Sequence, residues 1–222
     1  MNESRPGPVH IVGAGPGVGA SVARRFARAG HSVGLIARNP GRLDYLVREL
    51  AADGIDAQTC PADATDPAAL TEALETLARC QGLPEVMCFS PLPDIGLIKS
   101  VLETTPADLD AALALNVVGA AAAAGAVLPA MRAAGRGTLL FVTGSAVENP
   151  TAERAASAVA GFAERSYVEL LADALAGTPV RVAHLVVAGA IGAGKEHEPD
   201  AVADRLWRLY TGPAEPYAVL SR

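Results

Sequence analysis

Val9-His-Ile-Val12-Gly13-Ala-Gly15-Pro-Gly17-Val-Gly19 is the stretch that decides the fold. A short apolar run enters a glycine-rich turn. Ala20–Ala29 then has helical spacing and closes at Gly30, a residue suited to the position after a last helical turn. Strand, glycine turn and helix in this order form a phosphate-binding fingerprint. The glycines permit a tight turn and close backbone approach, and the helix start offers free N–H groups with a partial positive charge. The alternative is a structural turn that binds nothing.

Outward from this turn the chain alternates strand and helix. Strands are predicted at Ser32–Ala37, Asp56–Cys60, Glu85–Phe89, Thr138–Val142, Val180–Val187 and Tyr217–Leu220. Helices are predicted at Pro40–Ala52, Pro67–Arg79, Pro106–Ala134, Glu153–Leu175 and Asp200–Tyr210. Asp66 and Thr105 read as N-caps, with Pro67 and Pro106 at the first helical positions. Alternation of this kind implies a parallel sheet covered on both faces. No internal repeat or linker interrupts it. The expectation is an α/β protein, a Rossmann-like doubly wound parallel sheet, forming a single domain over 1–222 with 1–8 flexible.

Composition narrows the function. Half of the 222 residues are apolar, enough for an ordinary packed core, and the formal charge is −6. An acidic chain lacks the basic face that nucleic acids or anionic membranes require. Ala111–Met131 is apolar, but it is Ala-rich and holds Asn116, Gly119, Gly125 and Pro129, which suits a core helix better than a membrane span. Cys60, Cys80 and Cys88 are an odd set without C-x-x-C spacing. They read as buried small hydrophobes in a reducing, cytoplasmic protein with no metal site. Only two of the 18 basic residues are lysines, Lys99 and Lys195, and there are four tyrosines.

The end of the second strand selects the nucleotide. An acid there would bind a ribose 2′-hydroxyl, and an arginine would accept a 2′-phosphate. The sequence reads Leu35-Ile-Ala-Arg38-Asn39 with no acid, which favours NADP (NADPH) over NAD with Arg38 as the phosphate partner. A solvated surface arginine is the alternative. A second glycine segment, Gly189–Glu196, nearly spells a P-loop. It has Glu196 where a hydroxyl should hold magnesium, and a carboxylate there repels phosphate.

At this level the chain resembles the short-chain dehydrogenase/reductase superfamily over nearly its whole length. Val12-Gly13-x-x-x-Gly17-x-Gly19 is similar to that family's Thr-Gly-x-x-x-Gly-x-Gly loop, and Ala37-Arg-Asn-Pro-Gly-Arg-Leu43 is similar to its NADP-preferring members. Asp63, in Ala62-Asp-Ala64-Thr-Asp66, matches the residue that contacts the adenine ring. Asn116 matches the helix-four asparagine of the catalytic tetrad. The resemblance implies a cofactor site of Gly13, Gly15, Gly17, Val18, Gly19, Arg38, Asp63, Ala64 and Ser90. It also implies a small-molecule substrate and a homodimer or homotetramer formed through the two long helices.

The chemistry departs from the family. Its Asn-Asn-Ala-Gly is here Phe89-Ser90-Pro91-Leu92, its catalytic serine falls on Gly144 with Ser145 one residue away, and its Tyr-x-x-x-Lys is Ser157-Ala-Val-Ala-Gly161. The residues four positions after the four tyrosines are Glu49, Leu171, Ala214 and Ser221, so no Tyr-x-x-x-Lys exists anywhere in the chain. In the family the lysine lowers the tyrosine pKa so that its hydroxyl can donate a proton to the developing alkoxide. Losing such a group typically removes about 10²–10⁴ in rate. Ser145, Asn116 and Ser157 are the remaining polar candidates. Ser145 and Ser157 read equally as turn and helix residues, and Asn116 as a brace for the helix. His184 reads as a sheet-face histidine and His197 as part of a solvated loop. Three readings stay open. One is an NADP(H)-dependent reductase of a small carbonyl compound without the standard donor. The second is a non-redox cyclase, dehydratase or isomerase of secondary metabolism, and the third a catalytically silent partner subunit.

Overall fold

The computed structural model describes residues 6–221. Seven parallel strands form one sheet: β1 (Val9–Val12), β2 (Val33–Ala37), β3 (Ala57–Pro61), β4 (Val86–Phe89), β5 (Gly137–Gly144), β6 (Val180–Val187) and β7 (Tyr217–Leu220). Their spatial order is β3-β2-β1-β4-β5-β6-β7. The order reverses between β1 and β4, so a crevice opens at the carboxyl ends of these two strands.

Continuous apolar strands follow from burial on both faces, because successive side chains point to opposite sides. Ile11, Leu35 and Cys88 join one core, under α1 (Val18–Ala27), α2 (Pro40–Ala52) and α7 (Pro199–Thr211). Val12, Ile36 and Phe89, the next residues along, join the other. That core lies under α3 (Pro67–Gln81), α5 (Ala120–Ala134) and α6 (Ala155–Ala174). The caps fall where the sequence puts them. Asp66 accepts from the N–H groups of Ala68 and Ala69. Thr105 and Asp108 close a reciprocal capping box at the start of α4 (Pro106–Leu113). This matters because α4 carries the chain to the site.

The long helix departs from its expected form in one place. Between α4 and α5 the chain widens into a π-helical turn, Ala114–Gly119, that contains Asn116. Gly119 shows the reason. A Cβ there would lie 2.4 Å from the Ala64 carbonyl oxygen, so the helix backbone presses directly on the loop after β3. One extra residue per turn lets the helix keep that contact and remain continuous. The span Pro106–Ala134 is long and apolar enough to cross a membrane, with mean hydropathy 2.0 over its most apolar 18 residues. Here Ala120, Ala123, Ala124, Val127 and Met131 pack into the sheet core instead.

Two expectations need correction or completion. Cys88 is buried, but Cys60 is only partly covered and Cys80 is exposed near the end of α3, so the three thiols are not alike. Of the stretch expected to be flexible, residues 1–5 lie outside those described. Within the rest, the Gly7 N–H donates to Glu85 Oε2 at 2.9 Å.

Candidate functional site

The glycines of the first turn divide into two kinds. Gly13 has φ +86°, and a Cβ on it would lie 2.4 Å from Pro91 Cα. Its N–H and that of Ala14 both donate to the Ile36 carbonyl, which fixes the turn against β2. A Cβ on Gly19 would lie 2.8 Å from Ala14 Cα. These two glycines are needed by the fold itself. Gly15 and Gly17 have no atom within 4 Å of where a Cβ would be. Packing does not demand glycine there, and the open space lies at the amino end of α1. Gly17 caps that helix without a side chain, no acid occupies its first turn, and Val18 begins it. The result is an uncovered, partly positive cradle for an anionic group.

Arg38 follows β2 and is exposed, and Asp63 follows β3. Asp63 Oδ1 accepts from the Thr65 N–H at 2.9 Å and from the Thr65 hydroxyl at 2.8 Å. The Thr65 N–H chiefly holds this carboxyl below its ordinary range, and the Arg38 charge adds to the effect. Ala64, next to it, is buried beneath Gly119. The Ser90 N–H donates to the Val12 carbonyl at 2.9 Å. Its hydroxyl is buried with no hydrogen-bond partner of ordinary geometry. It is near enough to Cys88 to oppose the rise to about 12 that burial imposes on that thiol. Open cradle and exposed arginine lie at the same end of the sheet and fit a dinucleotide.

The crevice continues over β5. Ser145 opens a 3₁₀ turn, Ser145–Val147, at the carboxyl end of that strand, and its carbonyl accepts from the N–H groups of Glu148 and Asn149. Ser157 sits half-buried in the first turn of α6. Among the described residues neither hydroxyl is bonded to Asn116. Position 161, which the resemblance sets against the family's lysine, has little room for a side chain. A Cβ on Gly161 would lie 2.6 Å from Val147 Cγ2, so a valine occupies the space that a longer side chain would need. Gly161→Lys is expected to lower stability by about 1–3 kcal/mol, as overpacking does, and to melt the protein several degrees earlier in a thermal scan.

Asn116 turns elsewhere. Its Nδ2 lies 2.6 Å from Glu164 Oε2 on α6. Glu164 is 1% exposed, and burial pushes its carboxyl up to about 8, with the Asn116 contact opposing. Sequence reading missed this residue. A signal existed, since Glu164 falls in register with Ala156, Ala160, Gly161 and Val168 on the buried stripe of α6.

The loop after β6 answers two further expectations. The Ala190 N–H donates to Glu196 Oε1 at 3.3 Å, and the Gly194 N–H donates to Glu198 Oε1 at 2.7 Å. The loop's own carboxylates thus take N–H groups that a P-loop would offer to phosphate. His197 is not solvated, as the sequence suggested. The loop folds back through Ile191 and His197, and the imidazole is buried with Nε2 3.2 Å from the Ala188 carbonyl. His184 is a sheet-face histidine, as expected. Its Nε2 is 2.8 Å from the Thr143 hydroxyl, and burial lowers its pKa to about 4.

Fold and cradle together define a doubly wound α/β protein with an open anion cradle at its first turn. The short chain dehydrogenase model matches residues 8–197, and the chain belongs to that family. It is 34% identical over 186 residues to 1-deoxy-11-beta-hydroxypentalenate dehydrogenase of Streptomyces avermitilis, covering 82% of this chain and 67% of the relative. It is 28% identical to 2,3-dihydro-2,3-dihydroxybenzoate dehydrogenase of Bacillus subtilis, covering 77% and 65%. The chain thus spans about two thirds of the length of these curated relatives. A metagenomic short-chain oxidoreductase solved in complex with NADP superposes with a TM-score of 0.85 at 27% identity, covering 98% of each chain.

Proposed function

We propose that this chain is an NADP(H)-dependent oxidoreductase of a small carbonyl-bearing metabolite, working without a tyrosine–lysine donor pair. The carrying observation is the cradle. Gly15 and Gly17 leave space that packing does not require, at a helix start with no competing side chain. The N–H groups of Gly17, Val18 and Gly19 would hold the pyrophosphate, with Gly13 and Gly15 shaping the turn beneath it. Arg38 would take the 2′-phosphate, and Asp63 with Ala64 would flank the adenine. Ser90, at the end of β4, would flank the nicotinamide side. NADPH, when bound, supplies a hydride.

The chain's part is to orient the carbonyl and support the charge that develops on its oxygen. Ser145, at the carboxyl end of β5, would donate to that oxygen, with Ser157 and Asn116 as the other polar candidates. Holding reactants together contributes about 7–11 kcal/mol even where acid catalysis is weak. The resemblance to dehydrogenases of small molecules and to an NADP-bound structure supports the same reading. Exposed Val118, Val159 and Phe162 on the long helices suit a homodimer or homotetramer, and the free thiols suit a cytoplasmic setting.

The test is titration with NADPH and with NADH, followed by fluorescence, and then NADPH consumption with a panel of carbonyl compounds. Failure of both nucleotides to bind would overturn the reading. Binding without turnover would favour a silent subunit. Arg38→Ala is expected to weaken NADPH about 10–100-fold, the worth of a charged hydrogen-bonded contact, and to leave NADH unchanged.

A further inference from the structure

Glu164 presents an unsolved problem in its surroundings. It is a carboxyl in an apolar stripe, with one oxygen on Asn116 and the other, Oε1, buried without any partner. Among the described residues no cation pairs with it. Arg165, its neighbour in sequence, is turned to Glu148, Glu169 and the Tyr217 hydroxyl. Lys99 is bound to Asp108 of α4, while Asp110 of the same helix is exposed. Arg181 of β6 is bound to the carbonyls of Tyr210 and Gly212. His184 of β6, held neutral by burial, meets Thr143. The π-helical turn and β5 bring no charged side chain. An ionised carboxylate here would be a buried charge with one hydrogen bond, an arrangement that proteins avoid by keeping the group neutral.

A neutral carboxyl has a proton to donate, and the partner at hand is Asn116. The two ends of an amide are interchangeable in outline, so its orientation follows from the hydrogen bonds it makes. With the amide NH₂ on Oε2, a neutral acid would carry its O–H on the partnerless Oε1, whereas the reversed amide gives that O–H an acceptor. The consistent assignment has the Glu164 O–H donating to the carbonyl end of Asn116. The NH₂ end then turns away from Glu164. Asn116 is half-buried, in the π-helical turn beside α6, whose first turn carries Ser157.

We propose that Glu164 is a positioning residue, whose protonated carboxyl fixes the Asn116 amide so that its NH₂ end serves as a hydrogen-bond donor in the reacting crevice. This rests on the oxidoreductase reading above for its catalytic consequence, though not for the acid–amide contact itself. Ionisation of Glu164 removes the O–H, and the amide must reverse to donate to the carboxylate, which takes its NH₂ end out of the crevice. Turnover should therefore fall as pH rises through the ionisation of Glu164, about 8.

Infrared difference spectroscopy of the wild type against Glu164→Gln reads the contact directly. The expected result is a protonated-carboxyl band at pH 6 that disappears above pH 8. A carboxylate signal throughout pH 5–9 would overturn the proposal, whether or not the protein turns over any substrate. Glutamine can donate to Asn116 as the neutral acid does and cannot ionise. Glu164→Gln is expected to keep kcat within about threefold at pH 6.5 and to abolish the decline above pH 8, with KM for NADPH unchanged. Glu164→Leu should lose kcat at every pH. An unaltered alkaline decline in Glu164→Gln would also overturn the proposal. Absence of turnover in all variants alongside the expected infrared band would instead refute the oxidoreductase reading.

Discussion

Gly13→Ala is expected to destabilise the fold by about 2–6 kcal/mol. Two costs add at this residue. Its φ of +86° lies in the left-handed region, where a side chain costs about 1–3 kcal/mol. The new methyl would also meet Pro91 Cα at 2.4 Å, and a forced contact with backbone costs about 1–3 kcal/mol more. Proline has little freedom to move, and Ser90 before it is tied to Val12. Domains of this kind are typically stable by about 5–15 kcal/mol, so much of the margin would go. Gly15→Ala is the matched control. No atom lies within 4 Å of the added methyl, and the change in stability should stay within about 1 kcal/mol. It should instead obstruct the cradle and weaken NADPH. Urea unfolding and nucleotide titration of the two variants separate the glycine that the fold needs from the one that the ligand needs.

The second large effect is a pH dependence of stability centred on Glu164. Its folded-state pKa is raised to about 8, while the unfolded chain has the ordinary value of 4.5. Between these values the folded protein holds a proton that the unfolded chain has released. Stability from this group is therefore complete below pH 4.5 and is lost as pH rises through 8. Glutamine carries no such proton. The unfolding free energy of Glu164→Gln relative to wild type should rise by roughly 3–5 kcal/mol between pH 4.5 and pH 8, and level off above. Paired urea curves at four or five pH values check this. A constant difference between the two proteins would show that the carboxyl is already ionised at low pH.

Legibility in the sequence followed the range of the interactions. The turn at Gly13–Gly19, the caps at Asp66 and Thr105, and the alternation of strands and helices are local patterns, and they foretold the elements to within a few residues. The π-helical turn was not legible. It depends on Gly119 meeting Ala64, more than 50 positions away, and within its own segment Gly119 looks like one more small residue in an Ala-rich helix. Glu164 was missed for a related reason. Ala163-Glu164-Arg165 looks like a solvated helix edge, and only the packing of α6 against the π-helical turn encloses the glutamate. His197 was misread because a charged loop suggests exposure, whereas backbone bonds between Ala190, Gly192 and His197 fold the imidazole inward.

The contact between Val147 and Gly161 bears on which substitutions this site accepts as well as on its chemistry. A lysine at 161 meets Val147, and on its own Val147→Ala would remove buried methyl groups from the space beside Gly161. Each single step is harmful until the other has been taken, so the order of substitutions matters. A long side chain at 161 and a valine at 147 therefore compete for one volume, and a double substitution, Gly161→Lys with Val147→Ala, should be better tolerated than Gly161→Lys alone.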